Sequence, residues 1–256
     1  MLLADFDAER RAVIEPEMIF APLPGMPETV VSCFSHVTFE RMLNMLTQQR
    51  ALTTLGDANA HVPVYRGEWQ GTPLTLAMAS VGAPTCVAML EELRALGAKR
   101  FVVFGNCGVL DERISDCGII VPTAALRDEG TSFHYAPPSD EIPANPKYRD
   151  VFETLLRETG VSFTEGKVWT TDAFYRETRA KVERRKAQGC VCVDMECSAL
   201  MAMAQFRKVD VFEFFYAGDN LDREQWDPRS LSVHAKLDEK DRAAYLALEL
   251  ARRISL

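Results

Sequence analysis

Short apolar runs alternate with amphipathic stretches along this chain from about residue 62 onward. Residues 74–79 predict a strand, and residues 101–104 are a continuous apolar run, which is typical of a strand buried on both faces of a sheet. Between them, aliphatic side chains recur at the 3.6-residue spacing of one helix face, at Val87, Leu90, Leu93 and Leu96. The same criteria predict strands at 118–121, 161–169, 190–193 and 209–217, and helices at 148–159, 177–187, 195–206 and 237–254.

This alternation predicts an α/β fold with a mixed central sheet flanked by helices. One proline-rich segment, residues 136–146, interrupts the pattern. Because apolar strands and helices continue on both sides of it, we interpret it as a surface loop rather than a linker between domains. The chain is therefore expected to form a single domain over residues 1–256.

Composition and net charge limit the kinds of partner that the chain is expected to bind. The chain has 256 residues, 47% of them hydrophobic, which is enough for a sizeable core. Its formal net charge is −8, which argues against a protein that binds a nucleic-acid backbone, because such binding needs a basic face. No signal peptide fits the charged start of the chain, and no stretch of about 18 apolar residues offers a membrane span. We expect a cytoplasmic protein that binds neither nucleic acid nor membrane.

The seven cysteines show no CxxC spacing and have no histidine partners nearby. Neither a disulfide framework nor a metal site is predicted from them. An odd number of cysteines in a chain of this size indicates free thiols in a reducing compartment. We interpret them as small buried hydrophobic residues.

Three predicted strands end in small or functional residues, at Gly105-Asn106-Cys107-Gly108, Val193-Asp194-Met195-Glu196 and Gly218-Asp219-Asn220. In an open α/β sheet, ligands bind beyond the carboxyl ends of the strands. Each segment also has a simpler explanation: the glycines form a tight turn, Asp194 caps a helix, and Asp219-Asn220 is an ordinary turn pair. Together they place an amide-rich loop and two acids at one edge of a sheet, which indicates a ligand site.

Seven short segments share the order and approximate spacing of a known enzyme family over about residues 20–255. They are Pro24-Gly25, Ser80-Val81-Gly82-Ala83-Pro84-Thr85, Gly105-Asn106-Cys107-Gly108, Arg127-Asp128-Glu129-Gly130-Thr131-Ser132-Phe133-His134, Thr170-Thr171-Asp172-Ala173-Phe174-Tyr175, Val193-Asp194-Met195-Glu196 and Gly218-Asp219. The chain resembles the nucleoside phosphorylase family, which includes uridine phosphorylase, hexameric purine nucleoside phosphorylase and the methylthioadenosine nucleosidases. The resemblance implies a nucleoside phosphorylase-like fold and cleavage of the N-glycosidic bond of a nucleoside, by phosphorolysis to free base and ribose 1-phosphate.

The resemblance also implies roles for individual side chains. Glu196 would hydrogen-bond the ribose hydroxyls, and its charge would favour an oxocarbenium-like sugar. Asp219, which matches the purine-cleaving members, would be the catalytic acid that protonates or hydrogen-bonds the leaving base. The other substrate-binding residues would be Met195 under the ribose, Phe174 and Tyr175 beside the base, Cys107 and Gly108 lining the base pocket, and His134.

The phosphate site departs from the family pattern, in which several arginines hold the anion. The first arginine position falls within Gly25-Met26-Pro27-Glu28-Thr29, the second within 101–104 and the third near Asp57–His61, and none of these segments contains arginine. The phosphate-binding candidates that remain are Gly25, Thr85, Asn106 and Arg66, with Arg127 and Arg176 as further sources of positive charge. We expect Arg66 to supply that charge, with inorganic phosphate as co-substrate and no cofactor.

Two alternatives stay open. Without the three arginines, water could attack the sugar in place of phosphate, which would make the chain a nucleosidase. A chain that kept the pocket and lost turnover would be a nucleoside-binding protein, although retention of both Glu196 and Asp219 favours an enzyme. Arg176-Glu177-Thr178 stands where uridine-specific members carry a Gln–Glu–Arg pattern, so uracil recognition of that form is not expected. The resemblance implies a homodimer or a hexamer (a trimer of dimers), because family sites borrow residues across a subunit interface.

Overall fold

The computed structural model describes residues 5–56 and 61–256 of the chain, and within these ranges it contains ten strands and six α-helices. The strands are β1 (Thr29–Cys33), β2 (Thr47–Gly56), β3 (His61–Trp69), β4 (Thr72–Ala77), β5 (Arg100–Val109), β6 (Ile119–Asp128), β7 (Glu141–Pro143), β8 (Phe163–Thr171), β9 (Cys190–Asp194) and β10 (Asp210–Asn220). The helices are α1 (His36–Asn44), α2 (Ala83–Leu96), α3 (Pro146–Glu158), α4 (Arg179–Ala187), α5 (Cys197–Arg207) and α6 (Leu237–Ser255). Short 3-10 helices lie at Pro16–Met18, Thr131–His134 and Phe174–Arg176.

The ten strands form one mixed sheet, part of which closes on itself. β5 pairs with β10, β10 with β6, β6 with β8, β8 with β9, and β9 with the end of β5, so that five strands form a ring. From β5 the sheet continues outward through β1, β4, β3 and β2. Because a closed ring has no free edge, the ends of its strands are held in fixed relative positions.

Helices cover both faces of the sheet, as the packing of β5 illustrates. Phe101 and Val103 belong to the hydrophobic cluster that contains α2 and α5, whereas Val102 and Phe104 belong to the cluster that contains α3 and α6. All four side chains are fully buried, and burying an aliphatic or aromatic side chain of this size contributes about 1.5–3 kcal/mol. The continuous apolar run at 101–104 is therefore a strand buried on both faces, as predicted.

The predicted α/β architecture with a mixed sheet and flanking helices is confirmed. The strands and helices predicted from the sequence are present, with beginnings within a few residues of the expected ones. The sequence criteria miss β1, α1, β2 and β3. All five residues of β1 are buried, but Thr and Ser break its apolar run, and β2 is a polar strand with mostly exposed residues. Neither strand has the pattern that identified the later ones.

Three strands extend clearly further than the sequence indicated, and one of them, β6, continues to Asp128 instead of residue 121. β5 does not end at Gly105 but continues to Val109, because β10 stays paired with it to the end. Gly105 serves packing and not a turn, since an added Cβ would lie 2.6 Å from the ring of Phe34. Asp219 and Asn220 likewise lie inside β10, next to a bulge, and do not form a separate turn.

The proline-rich segment is part of the sheet and not a plain surface loop. Its residues 141–143 form β7, which pairs with β6. The segment ends where Asn145 caps α3, by accepting a hydrogen bond from the backbone N–H of Tyr148 at 3.3 Å.

The seven cysteines are free thiols, and six of them are buried, which fits their interpretation as small hydrophobic residues. Among the helices in the described ranges, none is both long enough and apolar enough to cross a membrane.

Candidate active site

Residues from the three segments singled out in the sequence meet in one row across the ring of strands. Asp219 of β10 lies opposite Gly108 of β5, which in turn lies opposite Val193 of β9. The next residue, Asp194, lies opposite Thr170 of β8. Gly108, at the centre of the row, has no room for a side chain, because an added Cβ would lie 3.1 Å from Val193 and 3.2 Å from Asp219. The fold thus brings the strand ends together, as expected.

A cavity of about 720 Å³ lies beside this row, and its size suits a small organic ligand. Its walls come from the ends of β5, β9 and β10, from segment 174–182 and from segment 221–231, with Phe34 and Val81 completing them. The charged residues of the lining are four acids and one base: Glu177, Asp194, Glu196, Asp219 and Arg179. The described lining is therefore strongly acidic.

Asp194 organises the turn between β9 and α5. Its carboxylate accepts hydrogen bonds from the backbone N–H groups of Glu196 (2.8 Å) and Cys197 (2.6 Å) and from the hydroxyl of Thr170 (2.7 Å). The simpler explanation offered for this residue is thus correct in part, since it satisfies the first N–H groups of the helix. Burial raises the pKa of Asp194, and the three hydrogen bonds oppose that shift.

Glu196 follows at the start of α5 and is itself buried. One of its carboxyl oxygens accepts a hydrogen bond from the backbone N–H of Gly82 at 2.5 Å. Gly82 has a φ of 95°, in the region that favours glycine, so the glycine at this position is what aims the amide at Glu196. Burial, followed by the charge of Asp194, raises the pKa of Glu196. The carboxyl borders the cavity, where a ligand hydroxyl can reach it.

A third buried carboxyl, from Glu213 of β10, lies next to these two. One oxygen of each of the three groups lies within 4.8 Å of the other two. Glu213 is completely buried, and neither of its carboxyl oxygens has a hydrogen-bond partner. Burial, followed by the charges of Asp194 and Glu196, raises the pKa of Glu213 well above its usual range.

Asp219 is held by a tryptophan from the segment that follows β10. The indole N–H of Trp226 donates a hydrogen bond to Oδ2 of Asp219 at 2.7 Å, while Oδ1 lies against Gly108. Desolvation raises the pKa of Asp219, and the hydrogen bond from Trp226 partly opposes this rise. A carboxyl with a raised pKa that lines a cavity can pass a proton to a ligand.

Glu177 shares this part of the cavity with Asp219. Burial raises the pKa of Glu177 to about 7, and the charge of Asp219 contributes to the rise. The guanidinium of Arg179 does not face these acids as a free cation. It donates hydrogen bonds to the backbone carbonyls of the following loop, those of Leu221 (2.7 Å), Asp222 (3.4 Å) and Arg223.

Most residues predicted to bind substrate or phosphate line this cavity, namely Asn106, Cys107, Gly108, Phe174, Tyr175, Met195, Glu196 and Asp219. His134 does not line it, because it is an exposed residue of the 3-10 helix Thr131–His134. Thr85 does not line it either, and its hydroxyl donates to backbone carbonyls of its own turn. Gly25 and Arg66 lie together outside the lining, with the guanidinium 3.3 Å from the carbonyl. The predicted phosphate-binding set is therefore not assembled on this cavity, apart from Asn106.

Arg127 is not a substitute phosphate ligand. It is buried, and its guanidinium donates to the hydroxyl of Ser132 (2.8 Å) and the carbonyl of Pro137 (2.7 Å), which fixes the loop after β6. Arg176 is exposed and does not line the cavity. The third segment in which the family carries a phosphate-binding arginine, near Asp57–His61, lies outside the described residues except for His61.

Sequence reasoning missed Arg179, Trp226 and Glu213, and it noted Glu177 only as a departure from the uracil-binding pattern. Arg179 is one of several charged residues of the helix predicted over 177–187, and Trp226 lies in a polar segment without periodicity, so no local signal singled out either of them. Glu213 carried a signal, because it is the single acid inside the apolar run 211–217. An acid within a buried strand is uncommon enough to indicate a special environment.

Comparison with known proteins identifies the family to which the chain belongs. The family model of the phosphorylase superfamily matches residues 30–255. The chain belongs to the phosphorylase superfamily. The match covers nearly all of the region in which the seven sequence segments occur, so the resemblance inferred from them is confirmed.

Individual members of the superfamily are distant relatives of this chain. A guanosine phosphorylase from Halorubrum lacusprofundi is 28% identical over 149 residues, which cover 57% of this chain and 61% of the relative. A uridine phosphorylase from Escherichia coli is 25% identical over 153 residues, covering 54% and 60%. The aligned region thus spans only about three fifths of the length of these relatives.

Solved structures show the same fold over almost the whole chain. A uridine phosphorylase from Vibrio fischeri superposes with a TM-score of 0.78 at 22% identity, over 95% of this chain and 99% of that one. A purine nucleoside phosphorylase from Toxoplasma gondii, in complex with immucillin-H, superposes with a TM-score of 0.75 at 21% identity, over 89% and 93%. The fold of this superfamily member is therefore shared with both kinds of enzyme.

Replacing Glu213 with glutamine should change how stability depends on pH. Because burial raises the pKa of Glu213 in the folded protein well above its ordinary value of 4.5, folding should bind a proton above about pH 5, and stability should fall as pH rises. Glu213→Gln cannot titrate, so its free energy of unfolding should fall less steeply between about pH 5 and about pH 8, by up to about 1.4 kcal/mol per pH unit. Chemical denaturation at several pH values measures both slopes. Equal slopes would show that Glu213 does not retain its proton on folding.

Proposed function

We propose that this member of the phosphorylase superfamily cleaves the N-glycosidic bond of a purine nucleoside by phosphorolysis, releasing the free base and ribose 1-phosphate. The observation that carries the proposal is that Glu196 and Asp219 line the same cavity. Breaking the C1′–N bond builds positive charge on the sugar and negative charge on the departing base, and a site must stabilise both. A buried carboxylate and a carboxyl with a raised pKa suit these two tasks.

Glu196 serves the sugar in this proposal. Its carboxylate accepts hydrogen bonds from the ribose hydroxyls, while the N–H of Gly82 keeps the group oriented. The negative charge favours the transition state over the ground state, because positive charge on the ring is largest when the glycosidic bond is nearly broken. Met195, half-buried beside Glu196, packs against the ribose.

Asp219 serves the leaving base. Its proton passes to N7 of the purine as the C1′–N9 bond breaks, so the base departs as a neutral molecule. The indole N–H of Trp226 holds one carboxyl oxygen and leaves the other for the base. Phe174, whose ring is about half exposed at 49%, offers a face on which the base can stack.

Glu177 favours guanosine among the purine nucleosides. No side-chain hydrogen bond occupies its carboxylate within the described residues, and it lines the cavity together with Asp219. With N7 at Asp219, the opposite edge of guanine presents two donors, N1–H and the 2-amino group, which one carboxylate can accept together. Adenine presents a lone pair at N1, which a carboxylate repels. The relative from Halorubrum lacusprofundi that carries the name guanosine phosphorylase supports this choice.

Inorganic phosphate is the proposed co-substrate, and no cofactor is required. Asn106 reaches the cavity from the end of β5, whereas Arg66 and Gly25 lie together outside it. We propose that the positive charge for phosphate is completed in a homodimer or a hexamer built as a trimer of dimers. Exposed apolar side chains at the cavity mouth support such an assembly, in particular Val81 (63% exposed) and Tyr175 (88% exposed).

Hydrolysis is the second candidate, and the charge of the cavity favours it. Its described lining holds four acids and a single arginine, and Arg179 is already engaged by backbone carbonyls. Such a lining repels a phosphate dianion and tolerates water. The experiment that tests the proposal therefore has to separate these two nucleophiles.

Phosphate dependence is the test of the proposed function. Incubating the protein with guanosine should release guanine only when phosphate is present, with one ribose 1-phosphate formed per base, because phosphate attacks C1′ in the bond-breaking step. Chromatography of both products measures this. Equal base release after rigorous removal of phosphate would identify a nucleosidase instead. Absence of base release from every nucleoside tested would contradict both candidates.

Asp219→Asn should lower turnover on guanosine by roughly two to four orders of magnitude, because the amide has no proton to give to N7. The dissociation constant for guanosine should change much less, since the amide still hydrogen-bonds the base. Single-turnover kinetics separate these quantities. Asp238→Asn is a matched control, because Asp238 is an exposed residue at the start of α6 and lies outside the cavity. Near-normal turnover of Asp219→Asn would remove this residue from the mechanism.

Glu177→Gln should lower kcat/KM for guanosine by about tenfold to a hundredfold, because its amide N–H₂ would face the donors of guanine. For adenosine the loss should be smaller or reversed, since glutamine can donate to N1 and accept from the 6-amino group. Glu183→Gln makes the same charge change on the exposed side of α4 and provides the control. An unchanged ratio of guanosine to adenosine would exclude Glu177 from base selection.

A further inference from the structure

Glu213 is a buried acid that the proposed reaction does not use. It lies in the middle of β10, opposite Val103 of β5, and it is completely buried. Its two carboxyl oxygens have no hydrogen-bond partner. A charged carboxyl in such a place costs several kcal/mol of desolvation. An unpaired acid beside Glu196 is therefore unusual.

The surroundings of Glu213 contain acids and thiols from every element packed against it. β9 contributes Asp194 and Cys192, the start of α5 contributes Glu196 and Cys197, and α2 contributes Cys86. Within the described residues, no lysine, arginine or histidine forms an ion pair with any of the three carboxyls. Three negative charges within 4.8 Å of one another are not tolerated in a buried site, so at least one carboxyl is neutralised.

The hydrogen bonds identify which carboxyl carries the proton. Asp194 accepts three hydrogen bonds, two of them from backbone N–H groups, and these stabilise its charged form. Glu196 accepts one from Gly82 and borders the cavity. Glu213 accepts none from a nitrogen or oxygen donor, has only the weakly donating thiol of Cys197 beside it, and is cut off from solvent. The neutral form therefore costs least at Glu213.

We propose that Glu213 is a positioning residue of the sugar site, a neutral carboxylic acid whose O–H group donates a hydrogen bond to the carboxylate of Glu196. The inference rests on the proposed function, because Glu196 is the ribose-binding group there. A protonated carboxyl has one donor to place, and Asp194 already accepts three hydrogen bonds whereas Glu196 accepts one. One carboxyl oxygen of Glu196 lies within 4.8 Å of one of Glu213, which is within side-chain reach. A hydrogen bond from Glu213 would add to the one that the N–H of Gly82 already donates to Glu196.

This arrangement has a consequence for catalysis. Burial and the charge of Asp194 favour the neutral form of Glu196, whereas the reaction needs its charged form. A hydrogen bond donated to the carboxylate favours the charged form. Glu213 thus keeps Glu196 ionised and aimed at the ribose without adding a second negative charge.

Two substitutions of Glu213 separate this role from simple packing. Glu213→Gln keeps a neutral donor of the same size, so kcat/KM for guanosine should stay within about threefold of the wild-type value, with an unchanged pH profile. Glu213→Leu fills the site without a donor and removes the buried acid, which favours folding. The pKa of Glu196 should then rise, moving the acidic limb of the kcat/KM profile up by about one pH unit, with about a tenfold loss at neutral pH. Thermal unfolding verifies that both variants are folded.

Several results would overturn the proposal. Wild-type behaviour of Glu213→Leu would mean that Glu213 has no influence on Glu196. A defect in Glu213→Gln as large as that in Glu213→Leu would mean that the acid itself is required. Loss of wild-type activity with a chelator, and its recovery with magnesium or manganese ions, would mean that a cation neutralises the three carboxyls in place of the proton.

A spectroscopic measurement distinguishes failure of this inference from failure of the proposed function. The infrared difference spectrum between wild type and Glu213→Gln should contain the carbonyl band of a protonated carboxylic acid at neutral pH, whatever reaction the protein catalyses. Absence of that band would overturn the inference even if guanosine is cleaved. Its presence would support the neutral Glu213 even if no nucleoside is cleaved, in which case only the proposed function fails.

Discussion

The carboxylate of Asp194 joins two elements of the fold, and the geometry around Glu196 depends on it. It accepts hydrogen bonds from the hydroxyl of Thr170 in β8 and from the backbone N–H groups of Glu196 and Cys197 at the start of α5. Thr170 in turn accepts a hydrogen bond from the backbone N–H of Ser198 at 3.1 Å. Hydrogen bonds to a charged group contribute about 1.5–3 kcal/mol each, so this network fixes the start of the helix firmly. Glu196, one residue before α5, is therefore held in a fixed position as well.

Further support for the same helix comes from the loop after β6. The hydroxyl of Ser198 donates to one oxygen of Glu129 at 2.8 Å, and the other oxygen accepts the N–H of Ser132. Arg127 extends this hydrogen-bond network by donating to the hydroxyl of Ser132. In this way the segment from Arg127 to Ser132 holds α5 in place. A substrate-binding role for His134, which lies outside the cavity lining of this chain, stays a prediction.

The sequence predicted the parts of the fold and the site that depend on local patterns. Continuous apolar runs identified strands such as β5, and the acids Glu196 and Asp219 were recognisable because they follow such runs. Residues that reach the cavity from irregular segments, such as Trp226, leave no comparable pattern. The pairing of β5 with β10 beyond Gly105 also escaped prediction, because strand length there depends on a partner more than 100 residues away in the chain. Long-range contacts of this kind are not encoded in local periodicity.

The three hydrogen bonds from Arg179 to the carbonyls of residues 221–223 link the two walls of the cavity mouth. One wall is the segment with Phe174 and Tyr175, directly before α4, and the other continues to Trp226. Both walls lie outside the closed ring of strands. Because one guanidinium joins them, a displacement of either wall would disturb its hydrogen bonds to the other. Asp219 is bonded to Trp226 in the second wall, so a displacement of that wall would also move the hydrogen-bond partner of the acid.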